Sequence, residues 1–216
     1  MKRLILMAFM LISGVAFAQT EGYKVGDVVK DFSLKNVNNK MVALADYKDA
    51  KGYIVVFTCN TCPVAKAYQA RISALNAAYA AKGYPVIAIN PNDAEAVPDE
   101  SFQKMQALAS EKKFNFPYLL DPDHIVTKQF GATKTPHVFV LNKTDKGNVV
   151  EYIGAIDNDP EEANTTKVEY VKNAINELST GKKPAIASTK AVGCSIKWKK
   201  AKYNLATIAD EFAYIA

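Results

Sequence analysis

Histidine is nearly missing from this chain: His124 and His137 are the only two in 216 residues, and the cysteines number three, Cys59, Cys62 and Cys194. A tetrahedral zinc site built on Cys59 and Cys62 needs a second pair of Cys or His ligands, which the sequence does not contain, so no metal centre is expected. Haem attachment is excluded because Pro63 stands where the C-x-x-C-H motif requires histidine. No apolar run reaches the roughly 20 residues of a membrane-spanning helix. Internal repeats and low-complexity blocks are absent. The lysines are spread along the chain without interleaved aromatics, which gives no case for nucleic-acid binding. The densest basic run, 197–202, reads as a solvated tail segment.

What is present is the composition of one globular domain with a sizeable core, 49% hydrophobic and 23% charged. The N-terminus stands apart. Lys2 and Arg3 precede an apolar run over 4–12, and Ala16-Phe17-Ala18 forms an A-x-A cleavage site. These features in this order read as a secretory signal peptide over 1–18, with a mature chain starting at Gln19. Gln19 is not the cysteine that lipid anchoring requires, so a soluble, periplasmic or otherwise exported protein with no membrane insertion after cleavage is expected. In an oxidising compartment three cysteines leave at least one thiol unpaired or exchanging, which suggests redox work over stapling.

Further along, 31–34 and 41–44 alternate around a polar turn and predict a β-hairpin covering a sheet edge. The continuous β-branched and aromatic run 53–57 predicts a central strand buried on both faces. Val64, Tyr68, Ile72, Leu75 and Tyr79 form a helical stripe ending at Gly83, and 85–89 is a second buried strand, completing a parallel βαβ unit. An inserted amphipathic helix carries Phe102, Met105 and Leu108. A short strand over 118–120 leads to a helix that Asp123 would cap, with His124 at the surface and Gly131 past the end. Strands 137–141 and 149–156 flank a turn over 142–148, and a last helix carries Val168, Val171, Ile175 and Leu178. The fold class is α/β, a central mixed sheet flanked by helices. The chain divides into the leader, a domain over 19–187 and a C-terminal extension over 188–216 containing Cys194.

The chemistry centres on Cys59-Asn60-Thr61-Cys62-Pro63, set between a buried strand and an amphipathic helix. At the positive end of a helix Cys59 is expected as a stabilised thiolate, the attacking form. The two-residue spacer lets Cys62 attack a mixed disulfide on Cys59 and close a redox-active Cys59–Cys62 disulfide, with no other cofactor required. Asp93 or Glu95, in the loop at the same carboxyl edge, is either a proton carrier for Cys62 or a solvated loop acid. His137 either faces the dithiol or turns to the sheet exterior. Cys194, with Gly193, Ile196 and Trp198 around it, suggests a docking segment; it is either a resolving cysteine or an isolated buried thiol.

Asp31-Phe32-Ser33-Leu34, Val56-Phe57-Thr58-Cys59-Asn60-Thr61-Cys62-Pro63 and Phe130-Gly131-Ala132-Thr133-Lys134-Thr135-Pro136-His137 resemble the thioredoxin superfamily, in its exported, peroxiredoxin-related redoxin branch. The likeness spans about residues 25–180 of the chain. It implies a thioredoxin-like fold. It also implies a cis-proline loop at Thr135-Pro136 that faces the dithiol and, with Asn60 and Thr61, contacts an extended substrate. The function implied is thiol-disulfide exchange with protein thiols or disulfides and a redox partner the sequence does not identify. Two alternatives belong to the same resemblance. One is a thiol peroxidase resolved by Cys194, against which stands Val56 where peroxidatic sites carry threonine. The other is Cu(I) delivery through both cysteines and His137, although that group spaces its cysteines one residue further apart.

Overall fold

The computed structural model describes residues 22–161 and 166–200; the expected leader and cleavage site lie outside the described residues. Ten strands and four helices follow in order: β1 (Val28–Val29), β2 (Ser33–Asn36), β3 (Met41–Ala43), β4 (Gly52–Phe57), α1 (Pro63–Tyr79), β5 (Val86–Asn90), α2 (Phe102–Glu111), β6 (Tyr118–Leu120), α3 (Ile125–Phe130), β7 (Lys134–Thr135), β8 (His137–Thr144), β9 (Gly147–Gly154), α4 (Tyr170–Ser179) and β10 (Cys194–Ser195). Eight strands form one mixed sheet in the order β1-β9-β8-β4-β5-β6-β2-β3, while β7 and β10 make a separate two-stranded ribbon. Strands β4, β5 and β6 are parallel, and β8 runs antiparallel to β4. This is the thioredoxin-like arrangement.

Every residue of β4 and β5 is buried, because helices cover one face and α3 with the hairpin covers the other. Pleat alternation sorts the side chains. Ile54 and Val56 join Tyr68, Ile72 and Leu75 of α1, Met105 of α2 and Val171 and Ile175 of α4. Tyr53, Val55 and Phe57 join Val126 and Phe130 of α3, and also Ile196 from the C-terminal extension. Phe130 is the aromatic hub of that second core, with ring contacts to Tyr23, Phe32, Phe57 and Phe139 at 5.1–6.0 Å.

Three local expectations are corrected. Asp123 does not cap α3: the Asp121 carboxylate accepts the Ile125 and Thr127 N–H groups at 3.1 and 2.7 Å and the Thr127 hydroxyl at 2.6 Å. His124 is 3% exposed, not superficial, because this tight connection turns it inward at φ 56°. The β8–β9 turn is shorter than the polar stretch implied, since pairing continues to Thr144 opposite Gly147.

Replacing Phe130 by Ala removes the ring on which the second core converges. Chemical denaturation should show a loss of about 3–5 kcal/mol with an unchanged m-value.

Candidate active site

Strand β4 ends at Phe57, and the Thr58 N–H still bonds the Ile89 carbonyl at 2.9 Å, so the chain leaves the sheet at the carboxyl edge and places Cys59 there. Helix α1 begins only at Pro63, with Cys62 in extended conformation at its N-cap. Proline suits that first helical position because the N–H it lacks would have no intrahelical partner. Cys59 therefore precedes the helix instead of occupying its first turn.

The connecting residues are held by Glu100, which lies in the loop before α2 and is fully buried. One carboxylate oxygen accepts the Asn60 N–H at 2.8 Å and the Asn90 side-chain amide at 2.9 Å. The other accepts the Thr61 N–H at 2.9 Å and the Thr61 hydroxyl at 2.5 Å. Four donors compensate a buried carboxylate that would otherwise be costly to desolvate. The Asn60 side chain bonds the Asp99 carbonyl and the Tyr118 hydroxyl. Asn60 and Thr61, expected at the substrate surface, thus serve as anchors of the loop.

Opposite stands Thr135, fully buried, whose peptide bond to Pro136 is cis. The Cys59 Sγ lies 3.1 Å from the Thr135 hydroxyl, and the Cys62 Sγ lies 3.3 Å from the Thr135 carbonyl oxygen. Both cysteines are nearly sealed, at 2% and 3% exposure, and cluster with Ala65, Val64 and Cys194.

The disulfide in the structure joins Cys62 to Cys194, in place of the expected Cys59–Cys62 pair, and Cys59 is a free buried thiol. The register explains the pairing. Strand β10 runs antiparallel to β7 with Cys194 opposite Thr135, which brings the third cysteine to the residue that Cys62 already touches. Burial first, then the Glu100 charge, pushes the Cys59 thiol above its ordinary range, opposed by the Thr135 hydroxyl and the N–H groups of Cys62 and Thr61. The two larger causes both oppose the thiolate expected at this position.

The other candidates divide. Asp93 gives its N–H to the Lys197 carbonyl at 2.8 Å and sits with exposed Glu95 in the loop that receives the C-terminal extension. The His137 ring lies against Phe139 at 4.8 Å and accepts the Thr133 N–H at 3.4 Å. Burial lowers its pKa to about 4. Among the described residues no three His, Cys, Asp or Glu side chains gather to hold a metal ion. Sequence reasoning missed Glu100, since an acid in a polar loop carries no sign that it will be buried under a turn 40 positions earlier.

Residues 25–152 match the AhpC/TSA family. The chain belongs to it. A search of curated proteins finds no match. Among solved structures, an uncharacterised conserved protein from Geobacillus kaustophilus is 32% identical, with a TM-score of 0.75, covering 82% of this chain and 94% of that one. A hypothetical protein from Sinorhizobium meliloti is 28% identical, with a TM-score of 0.76, over 83% and 97% of the two chains. The peroxidoxin BcpB of Mycobacterium tuberculosis shares the fold at 18% identity, with a TM-score of 0.50, over 60% of this redoxin and 84% of its own length. The fold and family of this redoxin are those of thiol oxidoreductases and thiol peroxidases.

The buried His137 sets a pH dependence. Its folded pKa of about 4 lies below the ordinary 6.5, so the unfolded chain takes up the proton first as pH falls. The contribution to stability is complete above about 6.5 and is lost between 6.5 and 4. Over that window the wild type should lose about 3 kcal/mol more than a His137→Phe variant, read from urea midpoints at each pH.

Glu100→Gln removes the charge that opposes Cys59 ionisation. The pH midpoint of Cys59 alkylation by iodoacetamide, measured on protein with Cys62–Cys194 intact, should move down, and the loss of charge-assisted bonds should cost about 1–3 kcal/mol.

Proposed function

We propose that this protein is an exported thiol-disulfide oxidoreductase that exchanges disulfides with protein partners, with Cys59 as the attacking sulfur and Cys62 as the sulfur that resolves the mixed disulfide. The observation that carries this reading is the convergence of a free thiol and a disulfide on one residue: Cys59 and Cys62 meet the hydroxyl and the carbonyl of Thr135, and Cys62 is already disulfide-bonded. Exchange needs an attacking thiol and a disulfide held together, and nothing else by way of cofactor. Thr135 and Pro136, at the end of β7, supply the backbone edge that an extended partner would meet. The leader sequence supports export to the periplasm or beyond.

The family match favours a second reading, peroxide reduction at Cys59. The position three residues before the cysteine is Val56, fully buried in the first core, so the threonine donor typical of peroxidatic sites is lacking. Copper delivery has weaker support, since Cys62 is engaged by Cys194 and His137 by Thr133.

Reduced protein should accelerate dithiothreitol-driven insulin reduction, and Cys59→Ser should lower the rate by at least about 100-fold, to background. A Cys62→Ser, Cys194→Ser double variant, which leaves Cys59 as the sole thiol, should accumulate mixed disulfides with partner proteins. Equal turnover by the wild type and Cys59→Ser would dispose of the reading. Peroxide consumption that vanishes with Cys59→Ser, alongside insulin turnover that does not, would install the peroxidase in its place.

A further inference from the structure

The extension around Cys194 is not a trailing tail. Residues 193–199 cross the site and are bonded to it at nearly every step. Strand β10 pairs with β7, Cys194 opposite Thr135 and Ser195 opposite Lys134. The Ile196 N–H reaches the Thr133 carbonyl at 3.4 Å, and its side chain, 4% exposed, enters the second core. Lys197 bonds the loop after β5 twice, accepting the Asp93 N–H at 2.8 Å and donating to the Asn92 side chain at 2.9 Å. The Lys199 N–H donates to the His124 Nε2 at 2.8 Å, with the Trp198 ring 5.0 Å from the imidazole. Gly193 passes so close to the β7 backbone that a Cβ there would stand 2.1 Å from the Thr135 carbonyl oxygen. This segment is fitted to the cis-proline edge.

A partner protein cannot reach a thiol that is 2% exposed, and the backbone edge of β7 is already paired. Resting on the assignment of Cys59 as attacking sulfur, we propose that residues 193–199 form a redox-held strap, which covers the site while Cys62–Cys194 stands and leaves it when that bond is exchanged. The exchange is internal. The Cys59 thiolate attacks the Cys62 sulfur, a Cys59–Cys62 bond forms, the Cys62–Cys194 bond breaks, and the electron pair departs on the Cys194 sulfur. The proton lost by Cys59 is matched by one taken up at Cys194. One disulfide and one thiol are present before and after, so no outside oxidant or reductant is consumed. The product is the dithiol-derived disulfide that a partner would meet, with the strap freed from its covalent tie. An external thiol that reduces Cys62–Cys194 opens the strap equally well. Without the disulfide, the strap is held by hydrogen bonds and an exposed Lys199–Asp123 ion pair that water can replace, by the exposed Trp198 ring on His124 and by one buried aliphatic side chain, Ile196.

Hydrogen exchange on the full chain reads the strap directly. In the oxidised protein the amides of Ile196, Lys197, Lys199 and Asp93 should be protected. Dithiothreitol, or the Cys194→Ser substitution kept reduced so that Cys59–Cys62 does not form, should lower that protection and raise the rate of Cys59 alkylation, each by at least about tenfold at fixed pH. Ile196→Asp, which keeps all three cysteines, should raise Cys59 alkylation with Cys62–Cys194 still formed. Protection in Cys194→Ser equal to that of the oxidised wild type overturns the strap, as does alkylation indifferent to Ile196→Asp. These readouts are separate from catalysis. A strap that opens in a protein without insulin turnover removes the oxidoreductase reading and leaves the cover, whereas turnover by a protein whose strap stays protected does the reverse.

Discussion

A carboxylate with no exposure to water fixes the geometry of the sulfur site. Where β4 releases the chain, the N–H groups of Asn60 and Thr61 have no sheet partner and cannot yet belong to the helix, which begins at Pro63. Buried unbonded, each would cost more than a hydrogen bond returns. Glu100 takes both, and its remaining capacity goes to the Thr61 hydroxyl and the Asn90 amide. One side chain from the loop before α2 thereby ties the ends of β4 and β5 to the start of α1. The same charge works against ionisation of Cys59. The structural requirement of the turn and the ionisation that a nucleophilic sulfur would need are in conflict, and in this structure the turn prevails.

Thr135 resolves the other half of the arrangement. A single residue offers its hydroxyl to one sulfur, its carbonyl to the neighbourhood of a second, and its strand position to the residue bearing the third. Cys62 and Cys194 are separated by 132 positions in sequence, and what brings them together is a two-residue ribbon whose register would slip easily if it stood alone. It does not stand alone. Ile196 seated in the second core, and Lys197 bonded to the β5 loop, fix the register from one side, while Gly193 fixes it from the other by permitting an approach that no side chain would allow.

The legibility of the sequence followed the length of each pattern. Strands β4 and β5 are continuous apolar runs, and α1 carries a five-member stripe, so the parallel unit and the position of Cys59 at its edge could be read directly. The start of α3 could not. Asp123 has the right chemistry to cap a helix, but Asp121 reaches three donors across a tight connection, and the inward turn of His124 is a consequence of that geometry. The pairing of Cys62 was invisible for a different reason: two-residue strands have no periodicity, and a segment that reads as docking does not show which cysteine it will meet. Its readable signals were Gly193 beside a cysteine and the apolar Ile196 and Trp198 after it. Glu100 left no signal at all, because its burial is created by elements that converge only in three dimensions.

Burial and reactivity pull a redox cysteine in opposite directions, and this site separates them in sequence of events instead of in space. A thiol at a protein surface is open to every disulfide and oxidant that passes. Ionisation of Cys59 is opposed by desolvation and by a neighbouring negative charge, beneath a segment that is itself covalently secured to the second cysteine. The factors that would ionise it, the Thr135 hydroxyl and the N–H groups of Cys62 and Thr61, are already in position. Admission of water to the site lowers the desolvation penalty, the larger of the two opposing causes, while leaving those donors where they are. Uncovering and activation are then one physical change, since the water that enters as the extension departs is what allows the sulfur to carry charge.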